Sequence, residues 1–413
     1  MNKTKLLKRA SFVAMTAMLP FSQVATAGEV NISGWVNEEM FAYDDGNSSD
    51  IIAAEANGIT LGTRLQFAGT QELPNSGLTA GFEFSVEPGG LTPLLSITQA
   101  NGGDNNTAFT SINLLSSSIN LSGGFGKVTL GTQSMPTDNI GVLSDPSLTL
   151  WASVSPVFRG NGLTIQGLGA GAANTTWASN LQCVTTPGLG IGFDCNGVYR
   201  TGLRYDLPAF MGIKVAVGYA NDDIYDISLN HSGSIAGLNT VIGMGYAINQ
   251  GGGGSNLADG TNETEVFQVQ AGLMDPGTGI FGSVAYMNDQ GDGGTGTTGT
   301  GGVTGDDIDS YFIKVGVKRD FNSLGPTAIS MIYGSYNDGM GAGDVGLTGS
   351  EVERIGVSIT QYFGAGFQIY GTWEQLDLDV DCGGTAVQAT TCTTNYGGAD
   401  ELDMFALGAT YFF

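Results

Sequence analysis

The stretch LTAGFEFSV, Leu78 to Val86, decides how this chain folds. Leu78, Ala80, Phe82, Phe84 and Val86 fall at every second position, with Thr79, Gly81, Glu83 and Ser85 between them. Successive side chains of a strand point to opposite faces, so the segment has one apolar and one polar face. The pattern returns in MGIKVAVGY, where Met211, Ile213, Val215, Val217 and Tyr219 oppose Lys214, and in YFIKVGVK, where Tyr311, Ile313, Val315 and Val317 oppose Lys314 and Lys318. Strand charges sit on the polar face, and the apolar set stays free of them. A soluble β-sandwich would bury its apolar face and charge its outer face more heavily. The inversion predicts a barrel with lipid outside and water inside.

Sixteen such segments can be marked, at about 29–43, 58–70, 77–87, 108–121, 125–132, 198–207, 211–221, 224–231, 238–249, 264–273, 280–288, 308–320, 326–337, 351–363, 366–378 and 401–413. Connections alternate between short turns such as ELPNSG and MDPGTG and long loops such as 44–57 and 88–107. One slot breaks the alternation, with only Asn221 to Asp223 where a long loop belongs. VFRGNGLTIQGL, 157–168, could be a further strand, but single-chain bacterial barrels carry even numbers, so 133–197 reads as one very long loop.

Composition agrees. Charged residues are 13% of the 413, against about 25% in an average soluble domain, and no apolar run approaches the roughly 18 residues of a spanning helix. MNKTKLLKRA, an apolar core and Ala25-Thr26-Ala27 read as a signal peptide over 1–27, leaving 28–413 as the mature barrel domain. The leader holds four of the 14 basic residues and none of the 39 acidic ones, so the mature chain has 10 against 39, a formal charge of −29. Such a field repels nucleic acid and concentrates cations, so no nucleic-acid partner is expected. Cys183 with Cys195, and Cys382 with Cys392, are close in sequence and favour two local disulfides in an exported chain, although four cysteines allow three connectivities. His231 is the single histidine, placed in the turn HSGSIAGLN, so neither a Cys/His metal site nor a histidine-based hydrolase is expected, and no cofactor is implied.

ITLGTRLQFAGTQELPNSGLTAGFEFS, the hairpin GGFGKVTLGTQ leading into the long loop, YRTGLRYDLPAFMGIKVAVGYA and the ending on Phe413 together resemble the general diffusion porins of Gram-negative outer membranes. The recognisable motifs cover about a quarter of the chain, while the architecture runs through all of 28–413. The resemblance implies an all-β, 16-stranded antiparallel transmembrane barrel, usually a homotrimer, whose long third loop folds inward. It implies that 133–197 is that constriction loop, with acidic residues facing a ladder of basic residues on the wall.

Parity sends Arg64, Arg200, Arg204, Lys214 and Arg354 to the lumen as the candidate constriction wall, together with Lys314 and Lys318; the resemblance places a wall arginine at Arg64 and at Arg204. Lipid exclusion alone would also turn these cations inward, since a Lys or Arg at mid-bilayer costs about 2–4 kcal/mol. Thr132 and Gln133 stand where many porins have an arginine, so the basic ladder is thinner here. Asp138 and Asp145 are the candidate loop carboxylates, and the orientation of Arg159 stays open. The expected function is passive diffusion of small hydrophilic solutes and ions across the outer membrane, with a cation preference. A substrate-specific channel is the alternative, with Trp151 and Trp177 as stacking platforms for a sugar. Acidic loops offer oxygens for divalent cations bridging lipopolysaccharide. Phe405, Leu407, Tyr411 and Phe413 form the lipid face of the closing strand, aromatic at the interface. In the family, that terminal pattern is what the barrel assembly machinery recognises.

Overall fold

The computed structural model describes residues 29–55, 62–88, 112–181, 199–221, 223–250, 264–291, 307–339 and 346–413. Its strands are β1 Glu29–Asp44, β2 Ser49–Glu55, β3 Arg64–Leu73, β4 Leu78–Pro88, β5 Ile112–Gly123, β6 Gly126–Ser134, β7 Tyr199–Asp206, β8 Ile213–Ala220 and β9 Ile224–Ile235. They continue with β10 Leu238–Asn249, β11 Thr264–Met274, β12 Ile280–Gly291, β13 Ile308–Asn322, β14 Gly325–Asn337, β15 Leu347–Tyr362, β16 Phe367–Cys382 and β17 Leu402–Phe412. Two helices interrupt them, α1 Ile140–Leu143 in the long loop and α2 Ala386–Tyr396 between β16 and β17.

Each strand pairs antiparallel with its neighbour, and β17 returns to β1 from Trp35↔Phe412 to Asp44↔Asp403, which closes the sheet. Seventeen strands make sixteen staves because β2 and β3 share one position. Glu38–Asp44 of β1 pairs with β2, while Glu29–Trp35 pairs with β3. This corrects the reading of 44–57 as a loop: SDIIAAE has no alternation to betray a strand, yet β1 offers it an unpaired edge. His231 also moves, lying within β9 opposite Ile213 and Ile242 and not in the turn. That turn is Ala236-Gly237, both in the left-handed region at φ 53° and 85°, as a two-residue hairpin loop requires.

The closing strand shows how parity becomes burial. Phe405, Leu407, Tyr411 and Phe413 are 53%, 58%, 57% and 49% exposed on the outer face, while Leu402, Met404 and Thr410 point inward and are buried. No helix among the described residues is long and apolar enough to cross a membrane. Spanning needs about 9–11 residues, and β15 and β16 have 16 each, so their upper ends extend beyond the bilayer.

The interior holds an apolar core, which alternation did not predict. Val142, Leu150, Val154, Val157, Leu163 and Trp177 of the long loop pack on Phe41, Met287, Phe312, Ile332, Leu376 and Met404 of the wall. No strand forms in 157–168, in keeping with its reading as loop. Cys382 and Cys392 are joined across the start of α2; Cys183 and Cys195, like the leader 1–27, lie outside the described residues.

Candidate functional site

The long loop leaves β6 and is fastened to the inner wall step by step. Thr137 donates its backbone N–H and its hydroxyl to Asp226 Oδ2 on β9, each at 2.8 Å. The helix α1 packs on β10, β11 and β12, and the Ser144 amide donates to Gln270 Oε1 at 2.6 Å. On β13, Lys314 Nζ reaches Asp145 Oδ2 at 2.7 Å, Thr149 Oγ1 at 2.8 Å and the Ser153 carbonyl at 2.6 Å. Burial alone would raise the Asp145 carboxyl, but the Lys314 ammonium and the Ser147 hydroxyl and amide hold it below its ordinary value. Lys318 Nζ donates to the Ser147 carbonyl at 2.8 Å and stands 4.0 Å over the Tyr362 ring.

A four-charge clamp holds the middle of the loop. Arg159 makes a bidentate pair with Glu39 of β1, Nε to Oε1 at 2.9 Å and Nη2 to Oε2 at 2.7 Å, and Nη1 reaches Glu374 Oε1 of β16 at 3.1 Å. Arg354 Nε takes the other oxygen of Glu374 at 3.0 Å, and its Nη1 donates to the carbonyls of Val154, Ser155 and Pro156. The Tyr370 hydroxyl lies 3.0 Å from Glu39 Oε2. Desolvating charges is costly unless each is paired and hydrogen-bonded, and here all four are. Burial works against the charge on Arg159, yet Glu39 and Glu374 hold its guanidinium more firmly protonated than usual.

The staves β3 to β8 carry the water-facing charges. Arg64 pairs with Glu87 at 2.7 Å, donates to the Tyr199 hydroxyl at 3.2 Å and lies 5.0 Å from the Trp35 ring centre. Tyr199, at the first residue of β7, leaves the outward set that alternation assigns it and reaches this guanidinium. Arg204 pairs with Asp206 at 2.8 Å and donates to the Ser134 carbonyl at 3.1 Å. Side chains here are 16–26% exposed, against 2% or less in the clamp, which separates charges that meet water from charges that fasten the loop.

The sequence-derived candidates divide along that line. Arg64 on β3 and Arg200 and Arg204 on β7 are partly exposed, and Lys214 is exposed on β8. Arg354 is on the wall as parity requires, but beneath the loop and 1% exposed, so its expected place on an open wall is corrected: the Val154–Pro156 carbonyls and Glu374 cover it. Asp145 is likewise buried against Lys314. Asp138 lies near Arg64 and Arg204, and its carboxyl is pushed up to about 7, chiefly by burial; the Ser134 hydroxyl, Arg64 and Arg204 pull the other way and Asp226 adds to the rise. Trp151 and Trp177 pack in the core, Trp151 edge-on to Trp35 and Phe412. Glu39, Glu374 and Tyr370 were missed; the first shares the parity of Phe41 and Tyr43, the others that of Thr372, so an inward row of carboxylates was readable.

A family model described as Gram-negative porin matches residues 10–413. The fold is similar to an anion-selective porin from Comamonas acidovorans, 18% identical over 94% of this chain and 100% of that one, with a TM-score of 0.55. It is also similar to OmpF of Salmonella typhi, 14% identical over 94% and 98%, TM-score 0.54. The outer membrane channel DcaP of Acinetobacter baumannii is 10% identical over 96% and 100%, TM-score 0.54. No curated protein matches. With the family model spanning nearly all of a closed sixteen-stave barrel whose outer face is apolar, the chain belongs to the Gram-negative porins, channel proteins of the outer membrane.

Proposed function

We propose that the chain forms a water-filled pore for passive diffusion of small hydrophilic solutes and ions, that 133–197 is its constriction loop, and that it prefers cations. A sixteen-strand circumference is too wide for side chains alone to fill, whereas eight strands close on themselves. The observation that carries the preference is that five interior cations, Arg159, Arg354, Lys314, Arg64 and Arg204, are each matched by a carboxylate. Arg159, Arg354 and Lys314 are buried against carboxylates, and Arg64 and Arg204 are paired with Glu87 and Asp206. The formal charge of −25 on the whole chain is then left to act on permeating ions. Nothing in this reading requires a reaction, so the chain is a channel and not a catalyst.

The neighbour named as anion-selective shares the fold at 18% identity, which carries no inference about charge preference. Burial of Trp151 and Trp177 removes the support for a sugar track. A related structure is described as a trimer form, and three copies of this chain are proposed on the same pattern. Contact with lipopolysaccharide, and delivery by the assembly machinery through the closing strand, belong to the same proposal. Reversal potentials across planar bilayers in a potassium chloride gradient test it: a cation preference with conductance steps in threes is expected, and an anion preference would overturn the selectivity.

A further inference from the structure

Two glutamates of β4 share its inward face and are treated differently by their neighbours. Glu87 is matched by Arg64 at 2.7 Å. Glu83 lies four residues nearer the short turn to β3, about 13 Å away along the strand. It is partly exposed and takes part in no ion pair among the described residues. Beyond Arg9 the chain has ten lysines and arginines, the 14 in all less Lys3, Lys5, Lys8 and Arg9, and every one of the ten lies in a described segment. The partner that Glu83 lacks is therefore not hidden elsewhere in the barrel domain.

Hydroxyls hold Glu83 instead. Ser116 of β5, itself fully buried, donates to Glu83 Oε1 at 2.8 Å, and Ser85 Oγ stands 2.7 Å from Ser116 Oγ. A hydroxyl has one proton, and that of Ser116 goes to the carboxylate, so Ser85 is the donor in the second bond and both dipoles run toward Glu83. Such a bond to a carboxylate is stronger than one between neutral groups. It fixes the place of the charge without cancelling it. The positions beside Glu83 in the sheet are neutral as well, Ala68 on β3 and Ser118 on β5. One step nearer the turn, the Asn120 amide occupies the space that a Cβ at Gly81 would need. Other inward carboxylates differ: Glu39, Glu374 and Asp145 are buried against Arg159, Arg354 and Lys314, and Asp206 is held between Arg204 and Lys127.

We infer that Glu83 is the selectivity residue of the pore, an anchored and unmatched carboxylate on the β3–β8 wall past which permeating cations move. The inference rests on the channel reading and gives its cation preference a place. A carboxylate that an arginine neutralises attracts a passing ion weakly, whereas one held only by hydroxyls keeps its field for the lumen. Ser116, with Ser85 behind it, is a positioning residue: it keeps the carboxylate from swinging up toward Arg64.

The test is the K⁺/Cl⁻ permeability ratio, taken from reversal potentials of the full chain in planar bilayers. At about 0.1 M potassium chloride, a unit charge about 4 Å from the path of an ion enriches cations about threefold, so Glu83→Gln should lower the ratio by about that factor. Glutamine keeps the shape of the side chain and an acceptor for Ser116. Glu83→Asp keeps the charge and should hold the ratio near that of wild type. Glu72 is exposed near the end of β3; Glu72→Gln changes the net charge equally and should leave the ratio as it is. A Glu83→Gln ratio equal to wild type would overturn the inference, and so would Glu83→Asp falling as far as Glu83→Gln. An equal fall in Glu72→Gln would overturn it too, since charge would then act by its sum and not by its place. A wild type that prefers anions would overturn the cation preference itself before any variant is compared, so the two readings fail separately.

Discussion

At the scale of the residue, Arg159 bears the most weight. A loop residue only 2% exposed, it joins Glu39 and Glu374, on staves at opposite ends of the chain. Arg159→Met would fill similar space but leave buried Glu39 without a cation and Glu374 with Arg354 alone, and breaking a buried pair from one side costs roughly 3–5 kcal/mol. The expected result is a lower melting temperature and noisier single-channel current; unchanged stability would mean that the apolar core alone holds the loop. Asp138 supplies a prediction in pH. Its carboxyl is raised to about 7 from 3.8, so the fold favours the protonated form. That contribution is complete below about pH 4, falls as pH rises toward 7 and is gone above it. The protein should therefore lose thermal stability over that range, and Asp138→Asn should flatten the slope. A variant with the wild-type profile would contradict the assignment.

At the scale of the element, the tip of the long loop is fastened to the cap between β16 and β17. The Gly169 amide donates to the Asn395 carbonyl at 2.8 Å, and the Asp400 amide to the Gln166 carbonyl at 2.9 Å. A Cβ at Gly167 would strike the Gly398 carbonyl, and one at Gly169 the Thr394 carbonyl, so the two backbones touch because QGLGAG carries no side chains there. Gly167 also sits at φ 76°, where other residues are strained. The cap is stapled by Cys382–Cys392. Gly169→Val should lift the tip and raise conductance, and Cys382→Ser with Cys392→Ser should weaken the cap by roughly 2–3 kcal/mol, read as faster proteolysis of α2; unchanged conductance and protection would show the tip to be held by the wall alone. The staves were legible because lipid and water impose a period of two along them, SDIIAAE of β2 being the exception. The cap helix was legible only in hindsight, through Thr385 and Gln388, whose side chains and amides satisfy one another at its first turn. The clamp was not legible, since parity says which way Glu39, Arg354 and Glu374 point but not that 135–181 lies over them.

At the scale of the whole molecule, closure and charge set what the barrel does. The seam ends where the Gly34 amide donates to the Phe413 carbonyl and the Phe413 amide to that of Gly34, both at 3.1 Å. Deleting Phe413 removes both bonds and the last apolar ring, so outer-membrane levels should fall while the conductance of inserted pores stays the same; normal levels would refute this. Charge is the longer-range property. The field of 39 acidic against 14 basic residues reaches the permeating ion only through solvent, and the screening length falls from about 10 Å at 0.1 M salt to about 3 Å at 1 M. A preference that comes from this diffuse field must fade over that range. One that comes from the local pairs must not. Glu87→Gln separates the two, because it leaves Arg64 uncompensated on the water-facing wall, beside Trp35 and Tyr199, while changing the net charge by one. If the diffuse field dominates, wild type should be cation-preferring at 0.1 M and nearly neutral at 1 M, and Glu87→Gln should move the reversal potential only slightly. A large shift toward anions in Glu87→Gln that persists at 1 M would assign selectivity to the Arg64–Glu87 pair instead.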